Sequence, residues 1–290
     1  MASTITLRRR IKSIKNTRQI TQAQQLVAAS KLRRAQEFAA ASRPYAELAN
    51  EMLAKLGSQG EVANQPLFVK REVKNRLYIV ITSNSGLAGA YNANVLKHLT
   101  TAIKADQAAK VGSHVITIGN RGSQFVRRIE GVDLQAAYPA YGDHPSANDL
   151  RPVLNTLMDL YKSEAVDEVQ VLYTRFKSTV VQVASSLQLL PATVPVAEEK
   201  PTEQVVATFE PDVETVTDQV TIRLVEAQVW QALLESIASE HAMRMVAMKN
   251  ATDNAKDLID DYTLELNTAR QAAITQELAE ITGGAEALNG

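Results

Sequence analysis

The chain has 290 residues, enough for one large domain or two ordinary ones with a packed core. Apolar residues make up 45% and charged residues 22%, and 9 Pro with 12 Gly exclude a collagen-like or largely disordered chain. Lys and Arg number 31 against 32 Asp and Glu, so a uniformly basic nucleic-acid coat is excluded; the absence of cysteine removes disulfides, thiolate metal sites and thiol nucleophiles together. No apolar run approaches the ~20 residues needed to span a bilayer.

The N-terminal stretch is basic and helical in period. Residues 1–43 carry ten bases, among them Arg8, Arg9 and Arg10, and one acid, Glu37. Leu7, Ile11, Ile14, Arg18, Thr21, Gln25, Ala28, Leu32, Ala35 and Ala39 recur in alternating steps of four and three, the spacing of a coiled-coil seam. The frame is polar between Arg18 and Gln25, where Ile20, Ala23 and Val27 form an adjacent stripe; the seam there either drifts or leaves the helix exposed. Residues 1–60 are read as one coiled-coil helix.

Residues 72–192 read as a different object. Arg76–Thr82 is a near-continuous apolar, β-branched run, as in a buried strand. A turn at Ser83–Gly89 leads to an amphipathic helix over Tyr91–Ala105. A strand over His114–Gly119, a short helix over Arg121–Ile129, a strand over Asp133–Tyr138 and a helix over Asn148–Lys162 follow. Two further strands are expected over Asp167–Tyr173 and Thr179–Leu190. Strands alternating with helices at this spacing imply a Rossmann-like three-layer α/β/α domain with a parallel-type sheet. Residues 193–211, with Pro195, Pro201 and Pro211, read as an extended return.

The C-terminal stretch, 212–284, is read as a second coiled-coil helix. Leu234, Ala238, His241, Met245, Met248, Thr252, Ala255, Ile259, Tyr262, Leu266, Ala269 and Ala273 keep the same frame, which reaches back through Leu224 and Ala227 with Gln231 as a polar break. Gly283 and Gly284 mark an expected stop. At ~1.5 Å per residue such a helix is too long to fold onto one compact core. Residues 250–290 carry eight acids against two bases. Two long helices of opposite charge at opposite ends of the chain imply an intramolecular antiparallel coiled coil, thin because many seam positions are alanine.

Candidate chemistry is sparse. Ser83–Gly89 and Gly119–Gly122 occupy strand-to-helix turns where a phosphate loop would sit, yet neither carries a complete phosphate-binding motif, and both read most simply as tight turns. His98, His114, His144 and His241 lack metal-ligand spacing. His241 falls on the seam, as a polar register residue. Asp260 and Asp261 read as a solvated pair, and Met243, Met245 and Met248 as seam filling. No cofactor is expected.

Several blocks carry a resemblance. Leu7–Arg34 (LRRRIKSIKNTRQITQAQQLVAASKLRR), Ser42–Glu47 (SRPYAE), Ile81–Asn92 (ITSNSGLAGAYN) and Ser239–Leu288 resemble, in order and over nearly the whole chain, the γ subunit of F-type ATP synthases. The resemblance implies a central stalk. The terminal coiled coil would thread a ring of α and β subunits, and the α/β domain would form a foot near subunit ε and the membrane ring of c subunits. It implies no catalytic site on this chain and no nucleic-acid partner; with no presequence visible, the expected place is peripheral, on the cytoplasmic side of a bacterial plasma membrane. The basic start then belongs to the first helix and not to a presequence.

Residue by residue, Arg270, Gln271 and Thr275 match the block that engages a loop of β. Ile274, Leu278, Ile281 and Leu288 belong to a tip running in an apolar sleeve of α and β. Arg244 and Lys249 would lie on the outer face of the coil, and Phe209 and Glu210 would meet ε and the c ring. Asn84 and Ser85 stand where the family usually has an Asp-Arg pair. Gln22, Gln24 and Gln25 stand where Lys and Met are common. The first departure bears on how the Ser83–Gly89 turn is anchored, the second on the fit to β. Two other classes compete with this reading: a nucleotide-binding α/β enzyme with helical extensions, and a coiled-coil adaptor or nucleic-acid binder using Arg8–Arg10.

Overall fold

The computed structural model describes residues 4–57, 67–142, 145–192 and 213–289. The chain divides into two compact units, Met1–Ala28 with Arg244–Gly290, and Ala29–Met243. Two long helices, α1 (Thr4–Gly57) and α5 (Val213–Asn289), each contribute to both.

In the first unit the four-three frame is realised residue by residue. On α1, Leu7, Ile11, Thr21 and Ala28 are buried and Ile14, Arg18 and Gln25 half-buried. On α5, Met248, Ala255 and Ile259 are buried, while Met245, Thr252, Tyr262, Leu266 and Ala269 are half-buried. The guanidinium of Arg10 lies 5.9 Å from the centre of the Tyr262 ring, and the hydroxyl of Thr252 bonds that of Thr21 at 2.8 Å. Eleven residues forward on α1 thus correspond to ten backward on α5, which makes the pairing antiparallel. The seam does not drift at its polar stretch. Thr21 stays inside, matched by Thr252, and Ile20 and Val27 face outward at 59% and 54% exposure. Hydroxyl-to-hydroxyl pairing lets a polar position remain in the seam without an unmet hydrogen bond.

The second unit is built on a five-stranded sheet. Its strands are β1 (Asn75–Ile81), β2 (Gly112–Ile118), β3 (Val132–Tyr138), β4 (Glu168–Phe176) and β5 (Gln182–Leu190), in the order β3-β2-β1-β4-β5. The helices between them are α2 (Tyr91–Ala109), α3 (Asn120–Val126) and α4 (Arg151–Lys162), the last entered through a short 3₁₀ turn capped by Ser146. Strands β1 to β4 pair in parallel. Strand β5 returns antiparallel on β4, because the few residues between them can close a hairpin but cannot make the long crossover a parallel return needs.

The central strand is apolar on both faces, and each face has its own helical layer. Tyr78 and Val80 pack with Val95, Leu99 and Ile103 of α2 and Val126 of α3. Leu77, Ile79 and Ile81 belong to a core with Val153 and Leu157 of α4. That core also takes in Leu224, Val225, Val229 and Leu233 of α5. The helix that continues into the terminal seam therefore supplies part of the sheet's third layer. At the other end of β1, the buried carboxylate of Asp106 accepts hydrogen bonds from Tyr78 (2.6 Å), Ser113 (3.2 Å) and Arg76. Arg76 Nε also faces Glu168 at 3.1 Å. Burial, reinforced by the Asp106 carboxylate, pushes the Tyr78 hydroxyl well above its ordinary pKa and holds it as a donor.

One expected boundary differs. The helix does not stop at Gly283–Gly284 and runs on to Asn289. Neither glycine adopts the left-handed φ that an αL cap requires, so no stop forms there.

Candidate functional site

Three places in the chain drew functional attention in the sequence, and the structure treats them differently.

The first is the far end of α5. From Gln271 to Ala285 every residue is exposed, Ala273 included, so the seam ends at Ala269. Ile274, Leu278 and Ile281 are 49%, 60% and 69% exposed. At ~100° per residue, Arg270, Ile281, Ile274, Leu278, Gln271 and Thr275 fall in that order within an arc of about 140°. The six candidate residues thus share one face, with apolar side chains between Arg270 at one edge and Gln271 and Thr275 at the other. The Thr275 hydroxyl donates to the Gln271 carbonyl at 2.9 Å, a bond that keeps it on the helix. A soluble helix normally turns such a face toward a neighbour. Phe209, Glu210 and the side chain of Leu288 lie outside the described residues. Lys249 is exposed and Arg244 half-buried.

The second place is the pair of strand-to-helix turns. Asn84 ties three loops together. Its side-chain oxygen accepts from the backbone N–H of Ala140 (2.8 Å) and of Asn120 (3.2 Å), and its nitrogen donates to the Ala140 carbonyl (3.0 Å). The departure from the family's Asp-Arg pair thus leaves the turn anchored by a neutral amide that is both donor and acceptor. Ser83 is held by Asn92 through its backbone N–H at 3.0 Å and its hydroxyl. Gly119 has φ +106°, and a Cβ there would stand 2.1 Å from the Thr82 carbonyl oxygen. This glycine serves turn-on-turn packing, and the tight-turn reading accounts for it.

In a doubly wound sheet of this order, ligands enter at the C-terminal ends of the strands where the winding reverses, here between β1 and β4. That position is filled by the protein's own α5. The hydroxyl of Ser236 lies 2.7 Å from that of Tyr91, the first residue of α2, and receives the backbone N–H of Thr174 at 3.4 Å. The hydroxyl of Ser239 donates to the Thr174 carbonyl at 3.1 Å. All four residues are buried. The sequence reading missed this cluster. Its signal was two serines three residues apart, with Ile237 and Ala238 between them, on α5.

The third place is the titratable set. Among the described residues no group of three or more His, Cys, Asp or Glu could hold a metal ion. His114 bonds Gln135 at 3.0 Å and stands beside Asp133 on the surface. His241 is buried, as a seam residue should be, and His144 lies outside the described residues. Met248 is buried and Met243 and Met245 half-buried, as seam filling requires; Asp260 and Asp261 are exposed. Arg8, Arg9 and Arg10 are exposed, with Arg10 over Tyr262. No helix of the described residues is long and apolar enough to cross a membrane.

Comparison with known proteins follows the whole length of the chain. The ATP synthase family model matches residues 3–288. An ATP synthase gamma chain of Acidithiobacillus ferrooxidans is 42% identical over 289 residues, covering 99% of this chain and 100% of that protein. One of Ralstonia nicotianae is also 42% identical, with the same coverage. Among solved structures, a chain of the Euglena gracilis mitochondrial ATP synthase (OSCP, F1 and c-ring, rotational state 3) superimposes with a TM-score of 0.67 at 18% identity, over 98% of this chain and 94% of that one. A chain of the Tetrahymena thermophila mitochondrial ATP synthase central stalk and c-ring gives 0.63 at 22% identity, over 80% and 99%. With long helices at both ends, a sheet domain between them and this full-length likeness, the chain belongs to the ATP synthase gamma chain family.

Proposed function

We propose that this chain is the central-stalk rotor of a rotary F-type ATP synthase. It couples proton-driven turning of the c ring to ATP synthesis on the β subunits, and ATP hydrolysis to proton pumping in reverse. The observation that carries this reading is the full-length likeness to gamma chains at 42% identity. The exposed face of α5 over Arg270–Ile281 supports it, since an apolar stripe with a polar rim calls for a surrounding partner.

The chain itself carries no chemistry in this reading. It works by differential contact. An asymmetric shaft touches three chemically identical β subunits differently, and a partner shifts a conformational equilibrium only through such a difference. Turning the shaft then leads each β site through its states in sequence. Arg270, Gln271 and Thr275 engage β; the planar fork of Arg270 suits a carboxylate. Ile274, Leu278, Ile281 and Leu288 run in the sleeve made by α and β. Phe209 and Glu210 face ε and the c ring. The chain is peripheral to the membrane, on the cytoplasmic side of a bacterial plasma membrane.

The test is the native complex. Affinity purification of this chain is expected to bring down α and β at one copy of the chain per hexamer, together with ε and c. Removal of Ala273–Gly290 is expected to weaken assembly or coupling. Recovery of the chain alone, or with unrelated partners, overturns the reading.

A further inference from the structure

The register between β1 and β4 ends at Val80 and Leu172. Two residues on, Thr174 still pairs with Ala184 of β5, but its own N–H and C=O face the side that β1 has vacated. Both are taken up by α5, the N–H by Ser236 and the carbonyl by Ser239. Ser236 also reaches Tyr91 at the start of α2. In effect a helix completes the edge of a strand. The hydroxyl of Thr174 is itself buried without a partner, so the hold on this residue comes through its backbone.

Apolar packing sets a distance between a helix and a sheet but is tolerant of rotation, because it is not directional. Hydrogen bonds in a buried site are directional, and an unmet one is costly. Serines at i and i+3 lie on the same face of α5. A turn of α5 by one residue, about 100°, removes both from Thr174 at once.

We infer that Ser236 and Ser239 are positioning residues that fix the rotational setting of α5 on the sheet, with Thr174 and Tyr91 as their sockets. This rests on the rotor reading, in which a turn of the sheet domain must become a turn of α5 without lag. The cluster's role is torsional stiffness at that joint.

The test uses the assembled complex, with the catalytic ring fixed and a bead attached through Val180→Cys. Val180 is 84% exposed at the turn between β4 and β5, and the chain has no native cysteine. The readout is the spread of bead angles during a catalytic pause. Tyr91→Phe, which removes one oxygen, and Ser236→Ala/Ser239→Ala are expected to widen the angular variance, by about twofold for the double variant, because a satisfied buried network is what rigidifies the joint. The ATP hydrolysis rate should stay at its original value. Leu99→Ala, a core cavity away from the cluster, is the control: it should lower the yield of complex and leave the variance unchanged. Equal variance in parent, Tyr91→Phe and double variant overturns the proposal, as does an equal widening in Leu99→Ala. A parent bead that never rotates with ATP overturns the rotor reading, and this inference with it.

Discussion

Two stretches of the same helix, Val220–Ile237 and Gln271–Ala285, meet opposite surroundings. The first is gripped on several sides. Leu224, Val225, Val229 and Leu233 enter the sheet's core, and Gln231 accepts a hydrogen bond from Ser42 of α1 at 3.1 Å. The second is exposed at every residue and still carries isoleucines and a leucine on one face. Helical backbone is common to both. The difference lies in what holds the side chains, so the first stretch contributes to the chain's own stability and the second is available to a partner. Burial alone separates a structural role from an interaction role along one continuous element.

The largest effect expected from breaking this contrast is at Leu233. It is 1% exposed, and Leu233→Ala should cost about 2–5 kcal/mol of unfolding free energy in urea titration. A change under 1 kcal/mol would mean that α5 does not belong to the sheet's core. The core that holds the first stretch should also be pH-sensitive through Tyr141, which packs against that core. Burial, with Asp149 nearby, pushes its hydroxyl up to about 12. The unfolded chain then loses this proton before the folded one does, so stability is full below pH ~10 and falls between ~10 and ~12. Tyr141→Phe should flatten that part of the curve, and an unchanged slope would reject the assignment.

Smaller effects are expected at the exposed end. Gly283→Ala and Gly284→Ala should each favour helix by ~1 kcal/mol, read as added helical circular dichroism in the free chain. No gain would mean that the helix does not pass through these residues. Smallest of all on stability is the triple change of Ile274, Leu278 and Ile281 to Ala, each within ~0.5 kcal/mol. The same triple variant should weaken retention of the chain by the α/β hexamer. If it unfolds the free chain instead, the exposed face is a core face and the contrast between the two stretches collapses.

Much of this was legible from residue spacing. The seam from Leu7 to Ala39 and from His241 to Ala269 emerged because a coiled coil is specified by local periodicity, and each position that the frame marks is buried or half-buried. The alternation of strands and helices was legible for the same reason. Two things were not. The stretch from Leu224 to Leu233 is apolar on more than one face because it serves two neighbours, and a single period cannot divide residues between them. The grip of Ser236 and Ser239 on Thr174 depends on where β1 ends relative to β4, a matter of register between segments about a hundred residues apart. Asn84 lies between these cases: its place in a turn was visible, whereas its three bonds to Ala140 and Asn120 were not. Of the candidate contact residues, the sequence placed Arg270, Gln271, Ile274, Thr275, Leu278 and Ile281 on one helix, and the structure adds that all six are open to solvent.

The overhang of α5 beyond Ala269 has a practical consequence. From Arg270 to Ala285 every side chain is exposed, so this stretch can be exchanged as a cassette, from one relative to another, without removing a core contact. Chimeras cut at that point would separate what this exposed face does from how the rest of the subunit is made.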